Sequence, residues 1–153
     1  LPNRLERAIV LNPGQGYTAL TLAAIFPHTR VLLVDRNLMA LGTTLHNLKQ
    51  NQLLQQRIAA AHVVGLDLAD DPAFEGSVDA LIGVVPDKPD LKVYDQLLEQ
   101  LSEILKKDGT ALLASSSTVI TRIEDLLQDH PELSVERRKR DSHRSVVQLS
   151  RIE

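Results

Sequence analysis

The sequence predicts an α/β domain built on a doubly wound, mostly parallel sheet of seven strands, with an antiparallel hairpin at its C-terminal end. Two observations predict it. Short aliphatic runs alternate with stretches in which apolar residues recur every three or four positions, as strands do when amphipathic helices separate them. Strands connected in this way lie parallel, and their helices cover both faces of the sheet. The last two apolar segments follow each other with no helical stretch between them, so they pair as a hairpin. A length of 153 residues suits one domain, and 43% hydrophobic residues supply its core. Only 3% of the chain is aromatic, so Leu, Ile, Val and Ala must fill that core.

The first strand is Ala8-Ile9-Val10-Leu11, which breaks into Asn12-Pro13-Gly14-Gln15-Gly16. A helical stretch from Tyr17 leads to a second strand, Val31-Leu32-Leu33-Val34, closed by Asp35. Leu38, Leu41, Leu45 and Leu48 then mark an amphipathic helix that Asn37 can cap. Ala59 to Leu66 reads as a third strand ending at Asp67. An acidic loop with Asp70, Asp71 and Glu75 precedes a buried strand, Ala80 to Val85. Pro89 and Asp90 open the longest helix, with Leu91, Tyr94, Leu97, Leu98, Leu101, Ile104 and Leu105 as its stripe. Lys106-Lys107-Asp108-Gly109 supplies cations for that helix end and then a turn, and Thr110 to Ala114 is the fifth strand. Ser115-Ser116-Ser117-Thr118 caps a helix reaching about Asp129, where Pro131 stops it. Leu133 to Arg138 and Ser145 to Ile152 form the hairpin.

The first strand–turn–helix–strand unit carries the chemistry. Gly14, Gly16 and Ala19 fit the pattern G-x-G-x-x-G/A. In such a site Gly14 permits the tight turn, Gly16 lets a ligand approach the backbone, and Ala19 lets helix and sheet pack closely. Asp35, 19 residues beyond Gly16, stands where a carboxylate accepts hydrogen bonds from ribose hydroxyls. Right-handed crossovers place ligands at the carboxyl ends of parallel strands. Gly14, Gly16, Asp35, Asp67 and the 83–88 segment all fall there, so the expected ligand contains a nucleoside.

Composition narrows the remaining classes. A formal net charge of −3 gives no global preference for nucleic acid or membrane. With no cysteine, disulfides and thiolate metal sites are excluded, and a reducing cytoplasm is the expected compartment. No apolar run has the length of a membrane span. His28, His46, His62, His130 and His143 lack paired metal-ligand spacing, and His28 and His130 are expected in surface turns beside prolines. Ser115-Ser116-Ser117 is a helix cap, since no G-x-S-x-G elbow surrounds it. The chain opens on Leu1 with a strand within ten residues, so residues 1–153 are expected to be one domain excised from a longer chain.

With this layout the chain resembles class I S-adenosylmethionine-dependent methyltransferases over essentially its whole length. The resemblance implies a Rossmann-like sheet with an antiparallel last strand and S-adenosylmethionine as cofactor. It implies Gly14 and Gly16 in the loop around the methionine part, Asp35 on the ribose and Asp67 on the adenine amine. Asn12 stands where members commonly carry an acid; it can hydrogen-bond but offers no charge to offset the sulfonium and amino group. Lys107-Asp108-Gly109 resembles the family's turn before strand five. The Leu11-to-Gly16 opening, with Asn47-Leu48 and Asn51, resembles the small-domain ribosomal RNA guanine-N2 methyltransferases. Those proteins pair two such domains, one often degenerate, so a sister domain is an expected partner.

Amino-group methyltransferases place Asn-Pro-Pro-aromatic after strand four, where the amide binds the target amine and the ring stacks on the base. Aligning Asp79 to Ile82 puts Val84, Val85, Pro86 and Asp87 at those positions, followed by Lys88. Valine accepts no side-chain hydrogen bond and a carboxylate has no stacking face. The catalytic residue is therefore not identified, and the 84–88 segment is its expected place. A basic run, Arg137-Arg138-Lys139-Arg140 with Arg144, is expected at the hairpin turn, where it would contact RNA phosphates or blunt a sheet edge. The leading expectation is a cofactor-binding methyltransferase domain acting on RNA. The alternatives are a non-catalytic module of the same fold that binds RNA or a sister domain, a cobalamin-pathway methyltransferase, and an NAD-dependent dehydrogenase.

Overall fold

A computed structural model of the chain describes residues 5–67, 71–88 and 90–153. Its elements in chain order are β1 (Arg7–Leu11), α1 (Tyr17–Ile25), β2 (Arg30–Asp35), α2 (Leu38–Gln50), β3 (Ile58–His62), β4 (Val78–Val84), α3 (Lys92–Ile104), β5 (Leu105–Ser116), α4 (Ser117–Leu126), β6 (Leu133–Asp141) and β7 (Arg144–Arg151). The seven strands form one sheet in the order β3-β2-β1-β4-β5-β7-β6. Neighbours from β3 to β5 pair in parallel, and β7 runs antiparallel to both β5 and β6. This is the sheet that the alternation of apolar runs predicts.

Alternate residues of a strand face opposite sides, which divides the core in two. Ala8, Val10, Val31 and Leu33 pack with Leu22, Leu41 and Leu48 of α1 and α2. Ile9, Leu81, Ala111 and Leu113 pack with Tyr94, Leu98, Leu101, Ile120 and Ile123 of α3 and α4. Each fully buried leucine or isoleucine contributes about 1.5–3 kcal/mol relative to leaving it exposed. Asn37 caps α2 by accepting hydrogen bonds from the N–H groups of Met39 and Ala40. Ser116 caps α4 through the N–H of Val119.

Several boundaries differ from the sequence reading. β3 ends at His62, five residues before Asp67. The N–H of Val63 still reaches the Asp35 carbonyl at 3.2 Å, but β2 stops there, and Gly65 at φ +56° turns the chain out of the sheet. Leu91 lies outside the α3 stripe and is half-exposed, while Leu105 already belongs to β5. β5 leaves α3 without a connecting turn: Val78 pairs with Leu105 and Ala80 with Thr110, so residues 106–109 bulge from the strand with Asp108 at φ +66°. Gly109 is required in that bulge, because a Cβ there would lie 2.8 Å from the Lys106 carbonyl oxygen.

Lys106 does not cap α3. Its ammonium lies 3.1 Å from Asp79, whose other oxygen accepts the N–H groups of Glu6 and Arg7 at 2.9 Å each. Burial pushes the Asp79 carboxyl up, but those two N–H donors and the Lys106 ammonium outweigh it and hold it below the ordinary carboxylate value. The hydrogen bond to Asp79 in turn raises Lys106. His130 is buried rather than in a surface turn, with Nε2 2.7 Å from an Asp95 carboxylate oxygen. Asp70 and Pro89 lie outside the described residues.

Candidate functional site

The carboxyl ends of β1, β2 and β4 meet at one cleft, and Asn12 ties them together. Asn12 takes φ +54°, a conformation asparagine tolerates better than most side chains. Its N–H donates to the Val34 carbonyl at 2.8 Å, and its side-chain amide donates to the Val84 carbonyl at 2.8 Å. Gly14 and Gly16 follow at φ +60° and +98°. A Cβ on Gly14 would meet nothing within 4 Å. One on Gly16 would lie 3.0 Å from the Thr44 methyl carbon and 3.1 Å from its Cα. Gly16 is therefore demanded by its own backbone angle and by the approach of α2.

Helix α2 pins the loop from behind. The Thr44 hydroxyl donates to the Gly14 carbonyl at 3.0 Å, and the Asn47 amide donates to the Gln15 carbonyl at 2.6 Å. The outer face of the loop is left open, and α1 starts at Gly16 with no side-chain cap on its first N–H groups. Those groups, at the positive end of the helix, are available to an anionic ligand group. Asp35 is only 6% exposed. One of its carboxylate oxygens accepts the Asn37 N–H at 2.8 Å, and no described residue donates to the other.

Beside the loop lies a cavity of about 150 Å³. Leu11, Val64, Val85, Val93 and Leu97 give it apolar walls, and Asn12, Arg36, Asp67, Lys88, Gln96 and Gln100 give it polar ones. Asp67, although it follows a turn and not a strand, stands at this cavity. A wider, open groove of about 700 Å³ lined by Glu75, Glu99, Glu103, Asp129 and Glu132 lies at the opposite, amino end of the parallel strands, away from this chemistry.

In the turn after β4 the three carbonyls of residues 84–86 each accept a hydrogen bond from within the protein. The Val84 carbonyl accepts from Asn12, the Val85 carbonyl accepts the Ser115 hydroxyl at 2.7 Å, and the Pro86 carbonyl accepts the Tyr94 hydroxyl at 3.0 Å. The Tyr94 oxygen also takes the Lys88 N–H at 2.7 Å, so this fully buried ring clamps the turn. Asp87 is exposed and does not line the cavity. Gly83 lets β4 approach β1, since a Cβ there would lie 2.7 Å from the Leu11 Cβ.

The basic run sits within edge strand β6, with the hairpin turn beyond it at residues 142–143. Arg138 faces inward: it donates to the Ser117 carbonyl and the Thr121 hydroxyl, and forms an ion pair with Glu124 at 3.2 Å that lacks hydrogen-bond alignment. It is thus a strut between hairpin and α4, unlike the phosphate contact expected of it. Arg137, Lys139, Arg140 and Arg144 are exposed. Arg144 pairs with Ser116 at the carboxyl end of β5, so the hairpin tip stands at the same end of the sheet as the cleft.

The sequence pattern does not reveal Thr44 or Arg36, or the roles of Tyr94, Ser115 and Asn47. A threonine interrupting the Leu41, Leu45, Leu48 stripe was the available signal for Thr44. Among the described residues, no three His, Cys, Asp or Glu side chains come together as a metal would need. No helix of the described residues is long and apolar enough to cross a membrane.

The family model described as methyltransferase small domain matches residues 1–136. No curated protein sequence matches the chain. Among solved structures, the fold is similar to the ribosomal protein L11 methylase from Lactobacillus delbrueckii subsp. bulgaricus, with TM-score 0.79 and 18% identity over 98% of this chain and 71% of that one. It is similar to TrmN from Thermus thermophilus, with TM-score 0.77 and 18% identity over 95% of this chain, which spans 44% of that protein. A Clostridium thermocellum protein assigned as an rRNA-methylase gives TM-score 0.77 and 16% identity, covering 96% of this chain and 89% of that one. At these identities the likeness is one of fold.

Proposed function

Because the chain belongs to the methyltransferase small domain family, we propose that it binds S-adenosylmethionine in the cleft at the ends of β1, β2 and β4 and serves methyl transfer to RNA. The observation that carries this reading is the convergence at one cleft of an open glycine loop, the uncapped start of α1, and a buried Asp35 with one carboxylate oxygen unclaimed. The residues fit the cofactor. Asp35 would take the ribose hydroxyls, the start of α1 the carboxylate of the amino-acid end, and the cavity beside Asp67 the adenine. The cofactor supplies a methyl group already activated on a sulfonium, so the chain's task is to hold and orient, with no obligatory acid or base.

The RNA part rests on the exposed Arg140 and Arg144 at the cleft end of the sheet, and on the similarity of fold to a protein assigned as an rRNA-methylase. Val84 and Asp87, which supply neither a side-chain amide nor a stacking ring after β4, argue that the acceptor is not an exocyclic amine. A second reading, a non-catalytic module that binds RNA or a sister domain, is favoured by those same side chains. Incubation with methyl-labelled cofactor and unmodified ribosomal RNA, followed by nucleoside analysis, separates the two. Label in a ring atom or ribose oxygen supports transfer. RNA binding without label supports the module, and absence of cofactor binding overturns the transfer reading. RNA affinity should fall steeply with salt, and Arg140→Ala with Arg144→Ala should flatten the log–log slope by roughly 0.7 per lost contact.

A further inference from the structure

Half of one sheet face is bare. Parallel strands are ordinarily covered on both sides, and α1 and α2 do cover β1 and β2. Beyond β1, on that same side, no described element packs on β4, β5, β7 and β6. Ile82, Leu112 and Ala114 stand there only half-buried, and Val84 and Val146 are exposed. Their neighbours on the other face, Leu81, Ala111, Leu113, Val147 and Leu149, are fully buried in the core that α3 and α4 complete.

The bare face is of mixed polarity, since Thr110, Gln148 and Ser150 are interspersed among its aliphatic side chains. Nucleic-acid bases, with apolar faces and hydrogen-bonding edges, match that mixture better than the dry stripe of a helix does. On edge strand β6, Arg137 pairs with Gln148 and Lys139 with Val146, so both cations point to this side, and Arg144 does so at the hairpin tip. Among the described residues none of the three has a carboxylate within ion-pair distance. Two carboxylates share the edge: Glu136, which accepts the Ser150 hydroxyl at 2.6 Å, and Asp141 opposite Arg144. The opposite margin carries an aromatic ring. Tyr94 is fully buried and Phe26 and Phe74 pack against the core, but Tyr17 is 72% exposed. It opens α1 directly after Gly16, and with Thr21, Ile25 and Ile82 it lines a groove of about 280 Å³ between α1 and β4.

Resting on the RNA reading above, we propose that single-stranded RNA crosses this bare face, with its phosphates on Arg137, Lys139 and Arg144 and a base stacked on Tyr17. From β4 to β6 the face spans about 14 Å, a four-stranded platform of the kind on which two or three bases lie. A base on Tyr17 adjoins the glycine loop, so the track leads from the hairpin edge to the cofactor cleft.

Titration of the chain into an end-labelled oligouridylate, followed by fluorescence anisotropy at several salt concentrations, tests the track. Tyr17→Leu should weaken binding about tenfold through lost stacking, while Tyr17→Phe keeps the ring and the affinity. Arg137→Ala with Lys139→Ala should flatten the log–log salt slope by about 1.4, and Lys107→Ala, an exposed cation at the amino end of β5, should leave it unchanged. Tyr17, Arg137 and Lys139 are all exposed, so the fold does not depend on them. The chain has no tryptophan and Tyr94 is buried, so tyrosine fluorescence should fall as unlabelled RNA saturates wild type, and should not fall in Tyr17→Phe. RNA binding that survives both sets of substitutions overturns the track, leaves the bare face to a protein partner and leaves the RNA reading standing. Absence of RNA binding by wild type at low salt overturns that reading and the track with it.

Discussion

Replacing Gly16 with alanine tests the local argument about the loop. Gly16 sits at φ +98°, where an L side chain costs about 1–2 kcal/mol. The new Cβ would also lie 3.0, 3.1 and 3.3 Å from three atoms of Thr44, so loop or helix must give way, at a cost of about 1–2 kcal/mol. Together these predict a loss of about 2–4 kcal/mol, or a fall in Tm of roughly 5–15 °C for a domain of this size. Gly14→Ala carries only the backbone cost, because its Cβ meets nothing within 4 Å, and should lose about 1–2 kcal/mol. Thr44→Ser removes the methyl carbon nearest the new Cβ and keeps the hydroxyl that holds the Gly14 carbonyl. It should therefore rescue part of the Gly16→Ala loss. Urea unfolding of the two single variants and the double variant gives the coupling directly. If Gly14→Ala is as damaging as Gly16→Ala, or if Thr44→Ser adds to the loss, the steric account of Gly16 is refuted.

Arg138→Ala should cost about 1–2 kcal/mol through its lost bonds to α4, whereas exposed Arg140→Ala should stay within about 0.5 kcal/mol, both read by urea unfolding. Because Asp79 is held below its ordinary value, its contribution is complete above the unfolded value of about 3.9 and is lost as pH falls through the folded one. Asp79→Asn should lower Tm at pH 7, and the gap from wild type should close as the pH is taken towards 2 in a calorimetric series. Tyr94→Phe removes the hydroxyl that holds Pro86 and Lys88 and should cost about 1–3 kcal/mol. Faster amide exchange at Lys88 than at the N–H groups of α3 would show that the loss begins in the turn.

The sheet was legible because apolar runs and helical stripes alternate without ambiguity, and the hairpin because no helical spacing separates its strands. The ends of β3 and β5 were not legible. Val63 to Leu66 is apolar enough to extend a strand, but the pairing partner stops at Asp35, a fact about β2 and not about those residues. Lys106 to Gly109 looks like an ordinary turn, yet it forms a bulge within the strand, with Lys106 paired to Asp79. At the site, Asp35 and the glycines were readable from spacing. The clamp by Tyr94 and the strap by Asn12 join residues 6–8 and 72 positions apart, and the carbonyls they occupy have no signature in side-chain identity. Arg138 shows the same limit: four successive basic residues look alike until the register turns one of them onto Glu124.

The central claim is that the cleft holds an adenosyl ligand through Asp35. A thermal melt of wild type and Asp35→Ala with and without S-adenosylhomocysteine tests it most directly. At about one hundred times its dissociation constant the ligand should stabilise wild type by about 2.7 kcal/mol, raising Tm by roughly 5–10 °C. Asp35→Ala should keep its fold and lose most of that rise. A wild-type melting curve that does not move at millimolar ligand, or an Asp35→Ala variant that gains as much as wild type, would contradict the account.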